Sequence, residues 1–457
     1  MSETLPYNQL LNYADALKKY NVRFSDKEPW LVSGECSSTN KWLIFVSVIR
    51  AQLPELLHCI LPLLIQEQVP FRLIKNRLLH QYVNIGRYGP DKVGKVICLH
   101  PLSEAQAVRM VTLLQPLVKK FMGPRVLNTM RVGQVLYACF SEMLKVKNGK
   151  KIKKEYIPGK AAIPFKDIIE IVQPARTLIL AKKYLLTKRI RTSAKGNIYK
   201  AIYRERFLFR ECLIKQGNMN MVDDLTGRTI HDRLLWQKKV LTDLKELTGV
   251  PRFLHFFVAH DNSYLVIEFK RGSTLVSKIQ SFYTHNSWPQ LPLPTKVYIL
   301  KYFLNCLQLI ANIHESGYIH RDIKGENFMI APDGTPIVLD FEVAFSAKES
   351  LPNKAFITIS KGYQAPEQQN ALIPSWKEDI YSIGALLIFL LTNIHPGEFI
   401  EEEVNKTTKK LYKLPVNENV IQIIVKCLDH NPGNRPGIQE ISQCITAYSE
   451  QLLRSGK

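Results

Sequence analysis

The sequence predicts an α+β protein with an N-terminal α/β domain, residues 1–187, and a second, two-lobed domain, residues 188–457. Its 457 residues exceed the usual size of a single core, so more than one domain is expected. Strand-like and helix-like runs alternate in the first domain. From residue 188 the pattern becomes mostly strands, and from residue 271 mostly helices. This change predicts a small lobe, 188–270, and a large lobe, 271–457.

The first domain shows the alternation most clearly between residues 41 and 140. Runs rich in β-branched and aromatic residues predict strands at 41–48, 71–75, 94–100 and 133–140. Leucine-rich runs predict helices at 7–20, 54–68 and from Ser103 to about Phe121, with a polar loop closing the first 30 residues. Ser103 and Gln106 have the spacing of a capping box, and Gly123-Pro124 ends the third helix.

The second domain begins with predicted strands at 190–202 and 207–215, a helix at 230–247 and a strand at 263–269. The large lobe contains a predicted helix at 295–315. A second helix is predicted to begin with residues 377–384. It is expected to be buried because its apolar run continues through 384–391.

The net charge of +22 is the one unusual feature of the composition, which is otherwise that of a globular protein. Such a charge suits an acidic peptide, a nucleic acid or an anionic lipid. No basic strand with interleaved aromatic residues, zinc finger or glycine-flanked clamp loop is found, so nucleic acid is not a predicted partner. Six lysines between 145 and 154 predict a solvated loop or hairpin tip, with a binding site as the alternative.

The cysteines and the N-terminus indicate a cytoplasmic protein. The eight cysteines are scattered without a CxxC pair or a Cys/His cluster, which favours reduced thiols and excludes a zinc-site pattern. The first residues lack the basic and apolar regions of a signal peptide. No apolar run approaches the roughly 20 residues of a membrane helix, so no membrane span is predicted.

Three ordered motifs in the second domain carry chemistry. They are His320-Arg-Asp-Ile-Lys-Gly-Glu-Asn327, Asp340-Phe-Glu342 and Ala365-Pro-Glu367. Their order and spacing are typical of protein kinases. Phosphoryl transfer needs a carboxylate to orient the attacking hydroxyl, and oxygen ligands to hold Mg²⁺ on the phosphates of ATP. Asp322 fits the first role, while Asn327 and Asp340 fit the second.

Further residues are predicted to contact ATP or the transferred phosphoryl group. Lys324, two residues after Asp322, is a second catalytic residue and is typical of Ser/Thr kinases. Lys215 ends a strand where a lysine reaches the α- and β-phosphates, although a surface lysine is the alternative. Glu268 and Lys270 are predicted at the nucleotide edge. Gly196 is the one glycine retained in the phosphate-covering loop, and a loop poor in glycine approaches phosphates less closely.

Gln237 stands where a kinase helix normally supplies a glutamate to hold the lysine corresponding to Lys215. An amide can accept a hydrogen bond but forms no ion pair. Because of this substitution, a catalytically weak kinase that acts as a scaffold is an alternative. The presence of all four residues expected for catalysis and Mg²⁺ binding, Asp322, Lys324, Asn327 and Asp340, favours activity. Asp379 and Arg435 are predicted to be structural, the latter as partner of Glu367.

The whole arrangement resembles the class III lanthipeptide synthetases, over roughly residues 30–450. The segments that carry the resemblance are Pro70-Phe-Arg-Leu-Ile-Lys75, Gly94-Lys-Val-Ile-Cys-Leu-His-Pro101, Gly123-Pro124, Arg131-Val-Gly133, Leu136-Tyr137 and Asp340-Phe-Glu342. The resemblance implies a phosphothreonine-lyase-like domain at 1–187 joined to a Ser/Thr kinase domain at 188–457. In that family the kinase phosphorylates Ser and Thr of a peptide, the lyase eliminates the phosphate, and a cyclase adds cysteine thiols. No cyclase is seen before Lys457.

The lyase-like half departs from that family at the residues that carry the chemistry. The positions of its Lys-x-His pair read Leu43 and Phe45, its base lysine reads Arg72, and a late phosphate-binding arginine reads Cys139. None of these can supply both the base and the acid that an elimination needs. The domain is therefore predicted to have lost its chemistry, with lyase activity through other residues as the alternative.

Three cations remain in the lyase-like domain and, together with the lysines between 145 and 154, are predicted to attract an anion. They are Arg87, Lys95 and Arg131. The expected partner is a Ser/Thr-containing peptide or protein, acidic or phosphorylated, that this domain holds near Asp322.

Overall fold

The computed structural model describes residues 12–36, 41–145, 151–172, 178–284, 286–357, 360–369 and 373–455. Their contacts form two compact units. The first contains residues 1–232 and 257–265, and the second contains 233–256 and 266–457. In the described ranges, no helix combines the length and apolar character needed to cross a membrane.

A nine-stranded sheet organises the first part of the first unit. Its strands are β1 (Ser25–Lys27), β2 (Trp30–Ser33), β3 (Lys41–Val46), β4 (Phe71–Ile74), β5 (Ile97–Leu99), β6 (Thr129–Arg131), β7 (Leu136–Lys145), β8 (Lys151–Tyr156) and β9 (Glu170–Val172). The strand order is β1-β2-β4-β5-β3-β7-β6-β9, and β8 pairs with β7. The pairings are antiparallel, so each face can carry its own kind of side chain.

Four helices accompany this sheet, α1 (Ala14–Lys19), α2 (Leu53–Gln66), α3 (Arg77–Asn84) and α4 (Glu104–Leu117). Apolar residues of α2 and α4, such as Leu57, Leu61 and Leu114, share one core with the sheet residues Ile44 and Leu73. Helical spacing places these apolar residues on one stripe of each helix, and burying that stripe stabilises the layer.

Most predicted elements of the first domain are confirmed, with small shifts at their ends. The predicted strands at 41–48, 71–75, 94–100 and 133–140 correspond to β3, β4, β5 and β7. The Ser103 side chain caps α4 by accepting the Gln106 N–H at 3.1 Å. The Gln106 side chain, however, accepts a hydrogen bond from the Leu102 N–H. The second bond of the predicted capping box therefore goes to the residue before Ser103 rather than to Ser103 itself.

Some elements were not predicted. Strands β1 and β2 replace the expected polar loop, and α3 lies between two strands predicted to be consecutive. The Asn76 side chain begins α3 by accepting the Leu79 N–H at 2.9 Å, which is a polar cap rather than a hydrophobic signal. Residues 7–11 of the helix predicted at 7–20 lie outside the described residues, and the helix observed in the remainder is α1. The strands β7 and β8, which flank the lysine-rich segment, pair with each other as in a hairpin. Residues 146–150 lie outside the described residues.

A six-stranded sheet follows. Its strands are β10 (Ile179–Leu180), β11 (Tyr184–Arg191), β12 (Ile198–Glu205), β13 (Leu208–Gly217), β14 (Phe253–Ala259) and β15 (Asn262–Glu268), in the order β10-β11-β12-β13-β15-β14. The strand predicted at 190–202 is in fact the end of β11, a turn and the start of β12. Gly196, with φ +148°, lies in that turn. The predicted helix at 230–247 is α5 (Ile230–Asp243).

Helices dominate the rest of the chain. They are α6 (Leu275–Phe282), α7 (Leu293–Glu315), α8 (Pro366–Gln369), α9 (Trp376–Thr392), α10 (Val404–Leu411), α11 (Glu418–Cys427) and α12 (Ile438–Ser455). Short strands frame the loops between them, β16 (Ser273–Thr274), β17 (Tyr318–Ile319), β18 (Phe328–Ile330), β19 (Pro336–Val338) and β20 (Phe345–Ser346). As predicted, α9 is buried, with its residues 378–391 all inaccessible to solvent or nearly so. The mixed α/β architecture predicted from the sequence is confirmed.

Candidate active site

The loop that carries Asp322 is anchored by a buried carboxylate. Asp379, on the first turn of α9, accepts the backbone N–H groups of His320 at 2.8 Å and Arg321 at 2.7 Å. His314 at the end of α7 adds a third hydrogen bond at 2.8 Å. Burial alone would raise the pKa of Asp379, but the His314 hydrogen bond and neighbouring positive charge lower it. The carboxylate therefore stays charged and fixes the loop, in the structural role predicted for Asp379.

Arg321 ties the same loop to two neighbouring segments. Its guanidinium forms a fully buried pair with Glu378 at 2.7 Å and donates to the carbonyl oxygens of Val343 and Phe356. Arg321 also has φ +66°, a left-handed conformation that is costly for a residue with a side chain. These contacts stabilise a strained turn immediately before Asp322.

The Asp322 carboxylate is surrounded by donors on both oxygens. Lys324 Nζ lies 2.8 Å from Oδ1 and 2.7 Å from Oδ2. The Ser360 hydroxyl donates to Oδ1 at 2.6 Å and accepts from Lys324 at 3.1 Å. Asn327 Nδ2 donates to Oδ2 at 2.8 Å. The carboxylate is thus held in one orientation beside a cation and within hydrogen-bond reach of a hydroxyl, which is the geometry required of a proton acceptor.

Asn327 and Asp340 lie on adjoining backbone segments. The Leu339 N–H donates to the Asn327 carbonyl at 2.7 Å, so Asp340 follows immediately after a residue bonded to Asn327. Asp340 has φ +63°, and its Oδ1 accepts the Glu342 N–H at 3.4 Å. An amide oxygen and a carboxylate are hard donors, and Mg²⁺ binds through one or two such groups together with substrate phosphates. This donor set fits Mg²⁺-ATP.

A bidentate ion pair holds Glu367 against Arg435 in the helical part of the chain. Arg435 Nη2 lies 2.9 Å from Glu367 Oε2, Nη1 contacts the other carboxylate oxygen, and the arginine side chain is fully buried. Arg435 also donates to the Lys377 carbonyl at 2.7 Å. The predicted pairing of Arg435 with Glu367 is confirmed.

Two of the predicted nucleotide residues lie on neighbouring strands. Lys215 is near the end of β13 and is 8% exposed. Glu268, the last residue of β15, pairs with Lys270 at 2.9 Å and with Arg252 at 3.4 Å. Burial would raise the pKa of Glu268, but the hydrogen bond from Lys270 and the backbone bond at Arg252 lower it. Gln237 is buried on α5, with 1% of its surface exposed.

The loop predicted to cover the phosphates is braced by polar side chains. A Cβ at Gly196 would lie 1.8 Å from the Gln216 carbonyl oxygen, so this position must be glycine. The Ser193 hydroxyl donates to the Gly196 carbonyl at 2.7 Å, and Asn218 Nδ2 donates to the Ala194 carbonyl at 2.8 Å. The bonds explain how the loop keeps its shape with a single glycine.

The three cations predicted to bind an anion have different surroundings. Lys95 pairs with Glu155 at 2.6 Å and lies 4.6 Å from the ring centroid of Phe45. Burial of the Glu155 carboxylate would raise its pKa. The charge and hydrogen bond of Lys95 outweigh this effect and lower the pKa of Glu155 to about 2. Arg131 lies 3.4 Å from both Glu170 and Asp261. Arg87 is exposed, with its guanidinium 4.2 Å from the ring centroid of Tyr82.

The positions at which the sequence is predicted to lack lyase residues lie on one face of the nine-stranded sheet. Leu43 and Phe45 of β3 pair with Cys139 and Tyr137 of β7. The same face carries a small apolar cluster made of Leu43, Phe45, Cys98, Val126, Tyr137, Cys139 and Val172. At its border Arg72 donates to His100 Nε2 at 3.1 Å. Apolar side chains stand at the Leu43 and Phe45 positions, and a guanidinium stands at the position predicted for the base.

Two contacts were not predicted from the sequence. One is Ser360 on Asp322, for which the only sequence signal is a hydroxyl residue six positions before Pro366. The other joins Arg50, just after β3, to Asp223, before α5. Arg50 donates its N–H at 2.8 Å and its Nε at 3.0 Å to Asp223 Oδ2, and both residues are buried. These residues are 173 positions apart, so no local pattern indicates the pair.

Comparison with known proteins agrees with this geometry. The family described as the protein kinase domain matches residues 183–445, and the chain belongs to this family. A second family, described as the RamC N-terminal domain, matches residues 14–155. The kinase match contains the motifs at 320–327, 340–342 and 365–367, and the RamC match covers strands β1 to β7 and all but the last residue of β8.

Individual relatives are similar over the kinase region. Serine/threonine-protein kinase PknA of Nostoc sp. is 23% identical over 266 residues, which is 56% of this chain and 45% of that protein. A probable serine/threonine-protein kinase of Clostridium perfringens is 25% identical over 269 residues, 56% of this chain and 37% of that protein. Probable serine/threonine-protein kinase PkwA of Thermomonospora curvata is 31% identical over 139 residues, 29% of this chain and 18% of that protein. The chain thus spans less than half the length of these relatives.

Proposed function

We propose that this protein is an ATP- and Mg²⁺-dependent kinase that phosphorylates Ser or Thr of a peptide or protein. The observation that carries the proposal is the Asp322 carboxylate, which accepts a serine hydroxyl at 2.6 Å while Lys324 lies 2.7 Å from its other oxygen. A substrate Ser or Thr hydroxyl has the same chemistry as Ser360. The proposed class also agrees with the names of the relatives described above.

In the proposed reaction, Asp322 orients the substrate hydroxyl and accepts its proton as the oxygen attacks the γ-phosphorus. Bound ATP with Mg²⁺ supplies the phosphoryl group, and the bond to the ADP oxygen breaks as the new O–P bond forms. Lys324 stabilises the negative charge that develops beside Asp322. Asn327 and Asp340 are proposed to hold Mg²⁺, and Gly196, Lys215, Glu268 and Lys270 to contact the nucleotide.

For the N-terminal domain, we propose a docking role without lyase chemistry. The apolar cluster around Leu43 and Phe45 supports the loss of elimination, and exposed Arg87 remains able to meet an anion. Lys95 and Arg131 already face carboxylates, so they would bind an acidic or phosphorylated peptide only in exchange for these partners. The resemblance to lanthipeptide synthetases and the eight free cysteines support a peptide substrate and a cytoplasmic location.

The direct test is transfer of labelled phosphate from Mg²⁺-ATP to a Ser/Thr-rich peptide, followed by mass spectrometry. Asp322→Asn should abolish transfer while ATP still binds. Asp340→Asn should abolish transfer and also remove the Mg²⁺ dependence of nucleotide binding. Transfer by the Asp322 variant at the parent rate would refute the assignment of the proton acceptor.

A pseudokinase scaffold is the second candidate, because buried Gln237 replaces the usual helix glutamate. If the protein neither binds Mg²⁺-ATP nor transfers phosphate, the scaffold is favoured over the kinase. A bifunctional kinase and lyase is tested separately by giving the protein a phosphothreonine peptide without ATP. The peptide should stay phosphorylated, and dehydrobutyrine in the product would refute the loss of lyase chemistry.

A further inference from the structure

One end of the six-stranded sheet carries an unusual group of exposed apolar side chains. Phe207 is 88% exposed, Phe209 is 77% exposed and Leu208 is 59% exposed, all at the tip of the β12–β13 hairpin. Leu178, Ile179 and Leu185, on or beside β10 and β11, are 71%, 55% and 48% exposed. We call these six residues the hairpin-tip surface. Exposing so many large apolar groups together is unfavourable in water.

Strand pairing brings the six residues to the same end of the sheet. Ile179 pairs with Leu185, and Leu185 pairs with Ile202 on β12. Three residues further along β12, Glu205 pairs with Leu208, and the preceding Arg204 pairs with Phe209. The two hairpins therefore turn at one edge.

The charges around the hairpin-tip surface are mostly positive. The exposed cations there are Lys182, Lys183, Arg204, Arg206 and Arg210. Glu205 is the one carboxylate within the 204–210 turn, and it lies 3.5 Å from Arg210. Lys183 Nζ lies 5.4 Å from the ring centroids of both Tyr184 and Tyr203. Cations thus frame an apolar tip.

The shape of the tip distinguishes between possible partners. Leu208 and Phe209 are consecutive in β13, so their side chains lie on opposite faces of the strand. Phe207 is in the turn between β12 and β13. A partner that packs against one face of the hairpin leaves the other apolar face in water. A lipid interface surrounds a protruding tip and buries both faces.

We propose that the hairpin-tip surface docks on an anionic lipid bilayer. Phe207, Leu208 and Phe209 enter the boundary between headgroups and acyl chains, while the flanking lysines and arginines contact lipid phosphates. Docking of this kind needs no spanning helix. It goes beyond the proposed phosphoryl transfer and does not depend on it.

The test is cosedimentation of the full chain with two kinds of vesicle. One contains phosphatidylcholine alone, and the other also contains roughly 30 mol% phosphatidylglycerol. Binding is expected only with the anionic vesicles, and it should weaken at high salt because the lipid charge is screened. Phe207→Ser with Phe209→Ser should lower the partition coefficient about tenfold or more, since two apolar side chains no longer enter the interface. Replacing Arg204, Arg206 and Arg210 by Gln should also lower it at least tenfold.

The matched control is Leu102→Ser with Ile373→Ser. These two side chains are 66% and 88% exposed and lie far from the tip in sequence, so their loss removes comparable apolar surface elsewhere. The control should bind like the parent, and thermal unfolding should confirm that all variants fold. Three outcomes would overturn the proposal. The first is the absence of vesicle binding, and the second is vesicle binding that the tip variant retains. The third is self-association or acidic-peptide binding that depends on the tip and occurs without vesicle binding.

Discussion

Ser360 supplies the hydroxyl that meets Asp322 and Lys324, and its removal tests how far this contact aligns the two catalytic candidates. We expect Ser360→Ala to lower kcat about tenfold while the KM for ATP changes little, since only the alignment of the carboxylate and the ammonium is lost. Ser360→Thr keeps the hydroxyl and should retain most of the activity. Equal losses in both variants would show that packing at this position matters rather than the hydroxyl.

Gln237 allows a second test at a single residue. If kinase-like alignment of α5 holds, Gln237→Glu provides an ion-pair partner for Lys215, and phosphate transfer should rise or stay unchanged. Gln237→Leu is the matched control, because it removes the polar group at a buried position. A glutamate variant with lower activity and a lower melting temperature would show a buried charge without a partner, and hence a wrong alignment.

Among the elements, the segment between β13 and α5 is tied to the chain just after β3 by the Arg50–Asp223 pair. Asn220 supports it by donating to the Gly123 carbonyl at 3.0 Å. Arg50→Ala leaves a buried carboxylate without its guanidinium, so we expect a loss of about 3–5 kcal/mol in unfolding free energy. Arg50→Met with Asp223→Leu should recover most of this loss, because no charge remains buried.

The control for this pair is Lys120→Ala. Lys120 contacts Glu55, and both side chains are more than half exposed, so removal of the pair should change stability by about 1 kcal/mol or less. Denaturant unfolding measures all three variants. Equal effects for Arg50→Ala and Lys120→Ala would contradict the anchoring role.

Helix α3 contains a titratable group that makes stability depend on pH. The pKa of His80 is lowered to about 4, mainly by burial. The positive charges of Arg50 and Arg77 also lower this pKa, whereas the negative charge of Asp223 raises it. Its neutral ring donates from Nε2 to the Val48 carbonyl at 2.8 Å and accepts from the Tyr13 hydroxyl at 3.2 Å. Between pH 6.5 and 4 the unfolded chain binds a proton here that the folded protein does not.

Stability should therefore fall as the pH drops through this range, by roughly 3 kcal/mol from His80 alone. Denaturant midpoints at pH 7.5 and 4.5 measure the change. Other groups also titrate, so the comparison is with His80→Gln, which should be less stable at pH 7.5 but show a smaller difference between the two pH values. An unchanged difference would exclude His80 as the source.

At the scale of the whole molecule, the N-terminal residues and the first strands of the small lobe form one compact unit. Cutting the chain near residue 185 would divide that unit, so point variants are the better test of docking. We expect the KM for an acidic peptide to rise with the salt concentration, because exposed charges are screened beyond a Debye length of about 10 Å at 0.1 M salt. The KM for ATP should change less.

Arg87→Ala should reproduce part of this increase in the peptide KM at low salt, because Arg87 is exposed and its charge is available to an anion. Lys92→Ala is the control, since Lys92 lies on the same segment but pairs with Asp91 at 2.8 Å. A peptide constant that neither salt nor Arg87→Ala alters would leave the N-terminal domain without an electrostatic docking role.

The sequence alone determined the mixed α/β architecture, most strands and helices, and the motifs of a protein kinase. These features are local, because helix and strand periodicity and a loop motif such as 320–327 are contained within short segments. The limits of the two domains, predicted at 187/188, and the roles of the nucleotide residues stay predictions. Short elements such as β1, β2 and α3 were missed because a polar cap and pairing with distant strands, rather than periodicity, define them.

Only the tertiary structure decided which distant groups meet. Ser360 reaches Asp322 across 38 positions, Glu155 neutralises Lys95 across 60, and Asp223 binds Arg50 across 173. Such pairs depend on sheet register and on how buried charges find partners, and neither leaves a periodic signal in the chain. The sequence therefore identified Lys95 and Arg131 as cations, whereas the fold decided that both already face carboxylates and that Arg87 is exposed.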